Sequence, residues 1–174
     1  MRAGLNVIAT IGAVSALTAC TSGPPQPVNP IAVDAGRTAA LVSSYRVEHG
    51  LGRVSVDSRL MEAAARQARG MGERDRIGHR VAGALPGRLA AAGYVWGATT
   101  ENLGAGYRTL DAAMQGWRGS PEHRKNLLNP HVTELGIAAF ATPPGARHRT
   151  YWALILAAPP PDPVMAGPFQ QALQ

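Results

Sequence analysis

The chain has 174 residues and a formal net charge of +6, and hydrophobic residues make up 45% of it. This length allows one domain with a real core and is too short for two once the proline-rich termini are set aside. Every one of the 17 basic residues except Lys125 is arginine. These arginines are either solvated helix faces or contacts for lipid phosphates and anionic wall polymers. No compact basic run or aromatic-studded strand indicates nucleic acid as a partner.

An export signal is predicted at 1–19, where Arg2 precedes an apolar stretch that is too short to span a bilayer. It ends in LTAC, which resembles the lipobox of bacterial lipoproteins, whose cysteine becomes the acylated first residue of the mature chain. Cys20 is the only cysteine of the protein. A lone thiol otherwise indicates an intermolecular disulfide or a reactive site. Its place before a proline-rich spacer favours lipidation, so the membrane is an expected partner through Cys20.

Thr21 follows the predicted acylated residue. By resemblance to Gram-negative lipoproteins, the absence of aspartate there implies the outer membrane if the source is Gram-negative. We therefore expect a lipid-anchored protein of the bacterial cell envelope.

Proline-rich segments bound the predicted domain. After Cys20, the linker 20–30 contains TSGPPQPVNP, which cannot build a core and should extend over roughly 30 Å at about 3.1 Å per residue. The tail 159–174 is also rich in proline and is predicted not to pack. The folded domain is therefore predicted at 31–158.

Five helices are predicted before two late strands. Apolar residues recur every three or four positions in the first, second and fourth helices, which gives each of them a buried stripe. Asp34 and Asp57 are capping residues for the first two helices. The other three helices are predicted to start at Gly87, Thr109 and Ser120.

The two strands are predicted at 133–141 and 149–158. The second, RTYWALILAA, is almost continuously apolar, and the intervening loop TPPGARH suits an antiparallel pair. Trp117 and Trp152 are expected to be buried in one core. The run GAGYRT after Leu103 lacks dinucleotide-binding spacing and is predicted to be a turn. Helices first and strands late indicate the α+β class.

A histidine lies in the first turn of the last predicted helix, in the segment SPEHRKNLLNP. Ser120 is a good N-cap residue, so His123 is either a solvated helix residue or one held where the helix dipole disfavours its charged ring. The second interpretation requires a partner elsewhere.

Several segments, in order, resemble the CAP superfamily (cysteine-rich secretory, antigen 5, pathogenesis-related 1), and specifically its cysteine-free bacterial branch. The resemblance covers about 39–158. It implies a CAP-type α-β-α sandwich, with a small antiparallel sheet flanked by helices and a cleft. The segments are LVSSYRVEHGL, SVDSRLMEAAARQARGM, IGHR, RLAAAGY, TENLGAG, GWRGSPEHRKNLLNPHVTELGIAAF and YWALIL.

Better known members of the superfamily place two histidines and two glutamates in the cleft, in some cases around a divalent metal. His79 in IGHR matches the first histidine and Glu101 in TENLGAG the first glutamate. The alternatives are a histidine that only ends a helix and a glutamate that only caps a loop. The other two positions depart from the pattern, because Ser120 falls at the second glutamate and Tyr151 at the second histidine. The resemblance to the bacterial branch implies that His123 faces the same cleft.

Two functions stay open. The first is noncatalytic binding of a small ligand, a lipid or a wall component in the His/Glu cleft, which fits the loss of two of the four family residues and the lack of a nucleophile arrangement. The second is a divalent-metal-assisted hydrolase, in which His79, Glu101 and His123 hold zinc or another divalent ion, or activate a water. We expect the binding function.

Overall fold

The computed structural model describes residues 24–161, in which one five-stranded sheet lies between two layers of helices. The strands are β1 (Asn29–Ile31), β2 (Ser55–Val56), β3 (Ala98–Ala105), β4 (Glu134–Ala141) and β5 (Thr150–Ala158). The helices are α1 (Ala35–Val47), α2 (Ser58–Glu73), α3 (Leu85–Ala91), α4 (Leu110–Gly119) and α5 (Pro121–Leu127). Within this range no helix has the length and apolar character needed to cross a membrane. The predicted signal 1–19, Cys20 and the tail from 162 onward lie outside the described residues.

The long strands β4 and β5 form the centre of the sheet, whose order is β1-β4-β5-β3. These four strands are antiparallel neighbours, whereas β2 pairs in parallel with the beginning of β4. The predicted strands at 133–141 and 149–158 are confirmed to within one residue. β3 is an edge strand, and the candidate site described below lies on it.

One face of the sheet is covered by α2. Its Asp57 cap accepts hydrogen bonds from the backbone amides of Arg59 and Leu60, as the sequence predicted for a capping aspartate. Alternate residues of β3 and β5 point to this face and meet the small apolar stripe of the helix. The buried residues of this layer include Leu60, Ala63, Ala64, Ala68, Met71, Leu103, Tyr151, Ala153 and Ile155.

The opposite face is covered by α1 and α4, with α5 at one end. Trp117 and Trp152 are 0% and 2% exposed in this second core, which confirms their predicted burial. Their indole N–H groups donate to the carbonyls of Leu103 and Tyr107 at 2.9 and 2.8 Å, so neither buried donor is left unpaired. Helices on both faces of the sheet confirm the predicted α-β-α sandwich.

The predicted linker 20–30 is partly wrong, because the folded unit begins before Ile31. Strand β1 pairs with the Ala139–Ala141 end of β4. The Gln26 side-chain amide also donates to the carbonyl of Gly72 at 2.7 Å. Backbone N–H and C=O groups at the outer edge of β4 need hydrogen-bond partners, and this segment supplies them. The polar composition of the linker gives no sign of this pairing.

The turn predicted at GAGYRT starts two residues later in the structure than the sequence predicted. Strand β3 continues through Ala105, and the turn starts at Gly106, whose φ is 81°. β3 was not predicted as a strand because its first half is polar. Helix α3 likewise starts at Leu85 rather than Gly87.

Candidate functional site

His79 lies in the loop that follows α2, and this loop is fixed to the helix by a buried side chain. The amide of Gln67 donates to the carbonyl of Gly78 at 2.6 Å and accepts from the backbone N–H of Ala82 at 3.4 Å. Gln67 is itself fully buried on α2. The helix therefore determines where the loop places His79.

Glu101 points from β3 toward this loop and holds the His79 ring. The His79 Nδ1 lies 2.8 Å from Glu101 Oε1, and the two side chains are 63% and 3% exposed. An ionised carboxylate only accepts hydrogen bonds, so Nδ1 donates its proton to Glu101, and Nε2 can accept a hydrogen bond whenever the ring is neutral. A buried carboxylate thus orients a ring that is mostly in solvent.

The second oxygen of Glu101 is bound by Arg88, a residue of α3 that sequence reasoning missed. Its Nη2 lies 2.5 Å from Glu101 Oε2, and both side chains are 3% exposed. The guanidinium also donates to the carbonyls of Gly83, Ala63 and His79, at 3.2, 3.3 and 3.4 Å. The one signal in the sequence that could have pointed to Arg88 is that it is the only polar residue in the helix LPGRLAA.

Helix α5 docks directly on the strand segment that carries Glu101. The Asn126 side-chain amide donates to the backbone carbonyl of Glu101 at 3.2 Å and to Asn102 Oδ1 at 2.9 Å. Asn102 in turn donates to the backbone carbonyl of His123 at 3.0 Å. This amide network holds the first turn of α5, which contains His123, against the segment of β3 that carries Glu101.

His123 is half-buried and close enough to His79 for their charges to interact. Burial lowers the pKa of His123 below its ordinary value of 6.5, the charge of His79 lowers it further, and the nearby Glu122 carboxylate opposes the change. The neutral ring is therefore favoured near pH 7. It offers one hydrogen-bond donor and one acceptor.

Of the other two predicted cleft residues, Tyr151 is not brought to this pair. Tyr151 is fully buried and donates its phenol hydrogen to Asp75 at 2.8 Å, so it does not line a cleft. It pairs with Ala105, four residues along β3 from Glu101, or roughly 13 Å of strand. Ser120 occupies the predicted cap position of α5, but its side chain makes no capping hydrogen bond.

The zinc or other divalent-metal site predicted at His79, Glu101 and His123 stays a prediction, and the geometry does not support it as a three-ligand site. Among residues 24–161, no three His, Cys, Asp or Glu side chains are grouped so that they could hold a metal ion. The reason lies at Glu101, since one oxygen binds the His79 ring and the other binds a guanidinium. A second cation at this carboxylate would be repelled by the first.

Comparison with known sequences gives the family of the chain. The profile of the CAP family, described as the cysteine-rich secretory protein family, matches residues 39–155. An uncharacterised protein, YkwD of Bacillus subtilis, is 25% identical over 103 residues, and an uncharacterised membrane protein of the same organism, YlbC, is 33% identical over 99 residues. The alignments cover 58% and 56% of this chain but only 40% and 29% of those relatives. The chain thus spans less than half the length of the curated relatives it matches.

Solved structures give the same fold. An extracellular protein containing an SCP domain from Bacillus anthracis superposes with a TM-score of 0.61 at 25% identity, over 71% of this chain and 39% of that one. An outer surface protein from Borrelia burgdorferi gives a TM-score of 0.64 at 20% identity, over 75% and 98% of the two chains. At that identity the second likeness shows the fold alone. Because the family profile spans more than half of the sequence, the chain belongs to the CAP, or cysteine-rich secretory protein, family.

Proposed function

We propose that this protein is a lipid-anchored protein of the bacterial cell envelope whose CAP domain binds a polar component of the cell wall beside His79 and His123. The observation that carries the proposal is the His79 ring, which is 63% exposed and yet held by a buried carboxylate. An exposed ring contributes little to stability by burial. A fixed ring orientation instead favours binding of a ligand from solvent, because it reduces the entropy that the ring loses on binding.

The chemistry of the two rings favours a ligand rich in hydroxyl and amide groups. An imidazole in its neutral form provides one donor and one acceptor, and the glycan and peptide parts of a wall polymer offer matching partners. An acyl chain offers none. The positive net charge of the protein further favours an anionic wall polymer over a cationic ligand.

The N-terminal sequence and the relatives support the proposed location. A lipobox-like LTAC ending at Cys20 supports acylation and membrane attachment. The similar proteins include one described as extracellular and one described as an outer surface protein, which supports an envelope location. An outer-membrane anchor is proposed for a Gram-negative source.

Binding to purified peptidoglycan fragments tests the proposal. The Cys20→Ser protein is titrated with soluble muropeptides in a calorimeter, and with phospholipid vesicles in parallel, so that the acyl anchor does not contribute. His79→Ala and His123→Ala should each weaken muropeptide binding at least tenfold. His49→Ala is the matched control, because His49 is exposed beyond the end of α1, and among the described residues its ring contacts only Tyr45 of the same helix. Equal affinity in all four proteins, or binding to vesicles alone, would contradict the proposal.

A second candidate, hydrolysis of the bound wall component, is favoured by the pairing of His79 with Glu101. A carboxylate on Nδ1 leaves Nε2 able to take a proton from water, which is the arrangement of a general base. The metal-assisted version is not supported, since Glu101 is already bound by Arg88. Incubation with purified sacculi, followed by mass spectrometry of released fragments, separates the two candidates. Fragment release that is lost in His79→Ala supports hydrolysis, and no release from sacculi that are bound supports binding alone.

A further inference from the structure

Arg88 and Glu101 form a buried ion pair directly beneath the exposed His79 ring. Both side chains are 3% exposed, and Nη2 lies 2.5 Å from Oε2. Two buried opposite charges neutralise each other where water does not reach them. The carboxylate therefore already has a cation, and it is supplied by the protein.

The guanidinium cannot easily move away from this place. Besides Glu101, it binds the carbonyls of Ala63 on α2 and of His79 and Gly83 in the loop. One side chain thus joins α2, the loop and β3. Because arginine stays charged at every physiological pH, the cation is permanent.

We infer that the Arg88 guanidinium is the fixed cation of the Glu101 carboxylate and that it keeps divalent metal ions away from the His79–Glu101 pair. The inference concerns how this pair is held and is independent of what the protein binds. It makes Arg88 a positioning residue, which sets the place of His79 through Glu101. It also predicts that removal of the positive charge creates a metal site that the wild type lacks.

Zinc chloride, titrated calorimetrically into the full-length protein near neutral pH, tests the inference. The variants are Arg88→Met, which removes the charge, and Arg88→Lys, which keeps it. The matched control is Arg66→Met, because Arg66 is an exposed arginine of α2 that pairs with Glu62. We expect Arg88→Met to bind one zinc at least tenfold more tightly than the wild type, Arg88→Lys or Arg66→Met. Adding Glu101→Gln to Arg88→Met should abolish the gain.

Three results would overturn the inference. The first is that the wild type binds stoichiometric zinc and loses it in Glu101→Gln. The second is that Arg88→Lys binds zinc as tightly as Arg88→Met. The third is that Arg88→Met folds but binds zinc no more tightly than the wild type. Arg88→Met leaves Glu101 buried without its partner and is at risk of unfolding. In that case zinc-dependent recovery of native tryptophan fluorescence supports the inference, and no recovery at saturating zinc refutes it.

Discussion

Gly136→Ala tests the packing of α2 on the sheet, on which the position of the candidate site depends. Gly136 lies in β4 where the helix crosses it. A methyl group on its Cα would lie 2.1 Å from the carbonyl carbon of Leu60 and 2.3 Å from both the Leu60 oxygen and the Met61 nitrogen. Carbon atoms pack at about 3.5 to 4.0 Å, so strand and helix would have to separate by more than about 1 Å. These atoms belong to the helix backbone, which no rotamer change relieves.

The size of the effect follows from what the separation disturbs. Overpacking typically costs about 1 to 3 kcal/mol when side chains can adjust. Here the whole helix must move, and its buried alanines lose contact with β4 and β5. We therefore expect Gly136→Ala to lower the free energy of unfolding by at least about 3 kcal/mol, a large part of the roughly 5 to 15 kcal/mol of an ordinary domain.

Urea unfolding, followed by the fluorescence of the buried tryptophans, measures this loss. Gly87→Ala is the matched control, since a methyl group at Gly87 in α3 would meet nothing within 4 Å. That variant should be as stable as the wild type or more stable by about 0.5 to 1 kcal/mol, because alanine favours a helix interior. A loss below about 1 kcal/mol in Gly136→Ala would refute the argument that α2 touches the strand backbone.

Three further outcomes are expected. Trp117→Ala should lower the free energy of unfolding by about 3 to 5 kcal/mol, and a loss under about 1 kcal/mol would indicate a surface role instead. Cys20→Ser should abolish metabolic labelling by a palmitate analogue, whereas label that persists would disprove acylation at this residue. Burial raises the pKa of Asp75, but hydrogen bonds from the Arg147 backbone and the Tyr151 hydroxyl lower it overall, below its ordinary 3.8. The ionised Asp75 therefore stabilises the fold at a pH above 3.8, and this stability is lost as the pH falls through the pKa of the folded state. The thermal midpoint of Asp75→Asn should consequently decrease less on acidification than that of the wild type. An equal decrease in both proteins would contradict this expectation.

The elements that sequence patterns predicted are those whose signal is local. A capping aspartate is followed within three residues by the amides that it binds, as at Asp34 and Asp57. β5 is almost continuously apolar, as expected of a strand that is buried on both faces. Strands β1 and β3 have no comparable apolar pattern. Each lies at an edge of the sheet, and its extended conformation depends on pairing with the neighbouring strand rather than on its own residues.

The candidate site was predictable only where the family resemblance matched residue by residue. His79 and Glu101 were named on that basis, and the structure joins them at 2.8 Å. Tyr151 was placed in the cleft by its position in the strand motif, but position in a motif does not reveal burial. The Asp75 carboxylate that binds its phenol is 76 residues away in the sequence.

Arg88 was missed for a different physical reason. An arginine in a short helix is ordinarily a solvated residue, and only the tertiary fold shows that this one is enclosed by α2, the loop and β3. A buried ion pair is often no more stabilising than well-packed apolar residues of the same volume. Stability alone therefore does not account for the pairing of Arg88 with Glu101. What apolar packing could not provide is an acceptor for the His79 Nδ1 proton, so the pair is best explained by the ring that it orients toward solvent.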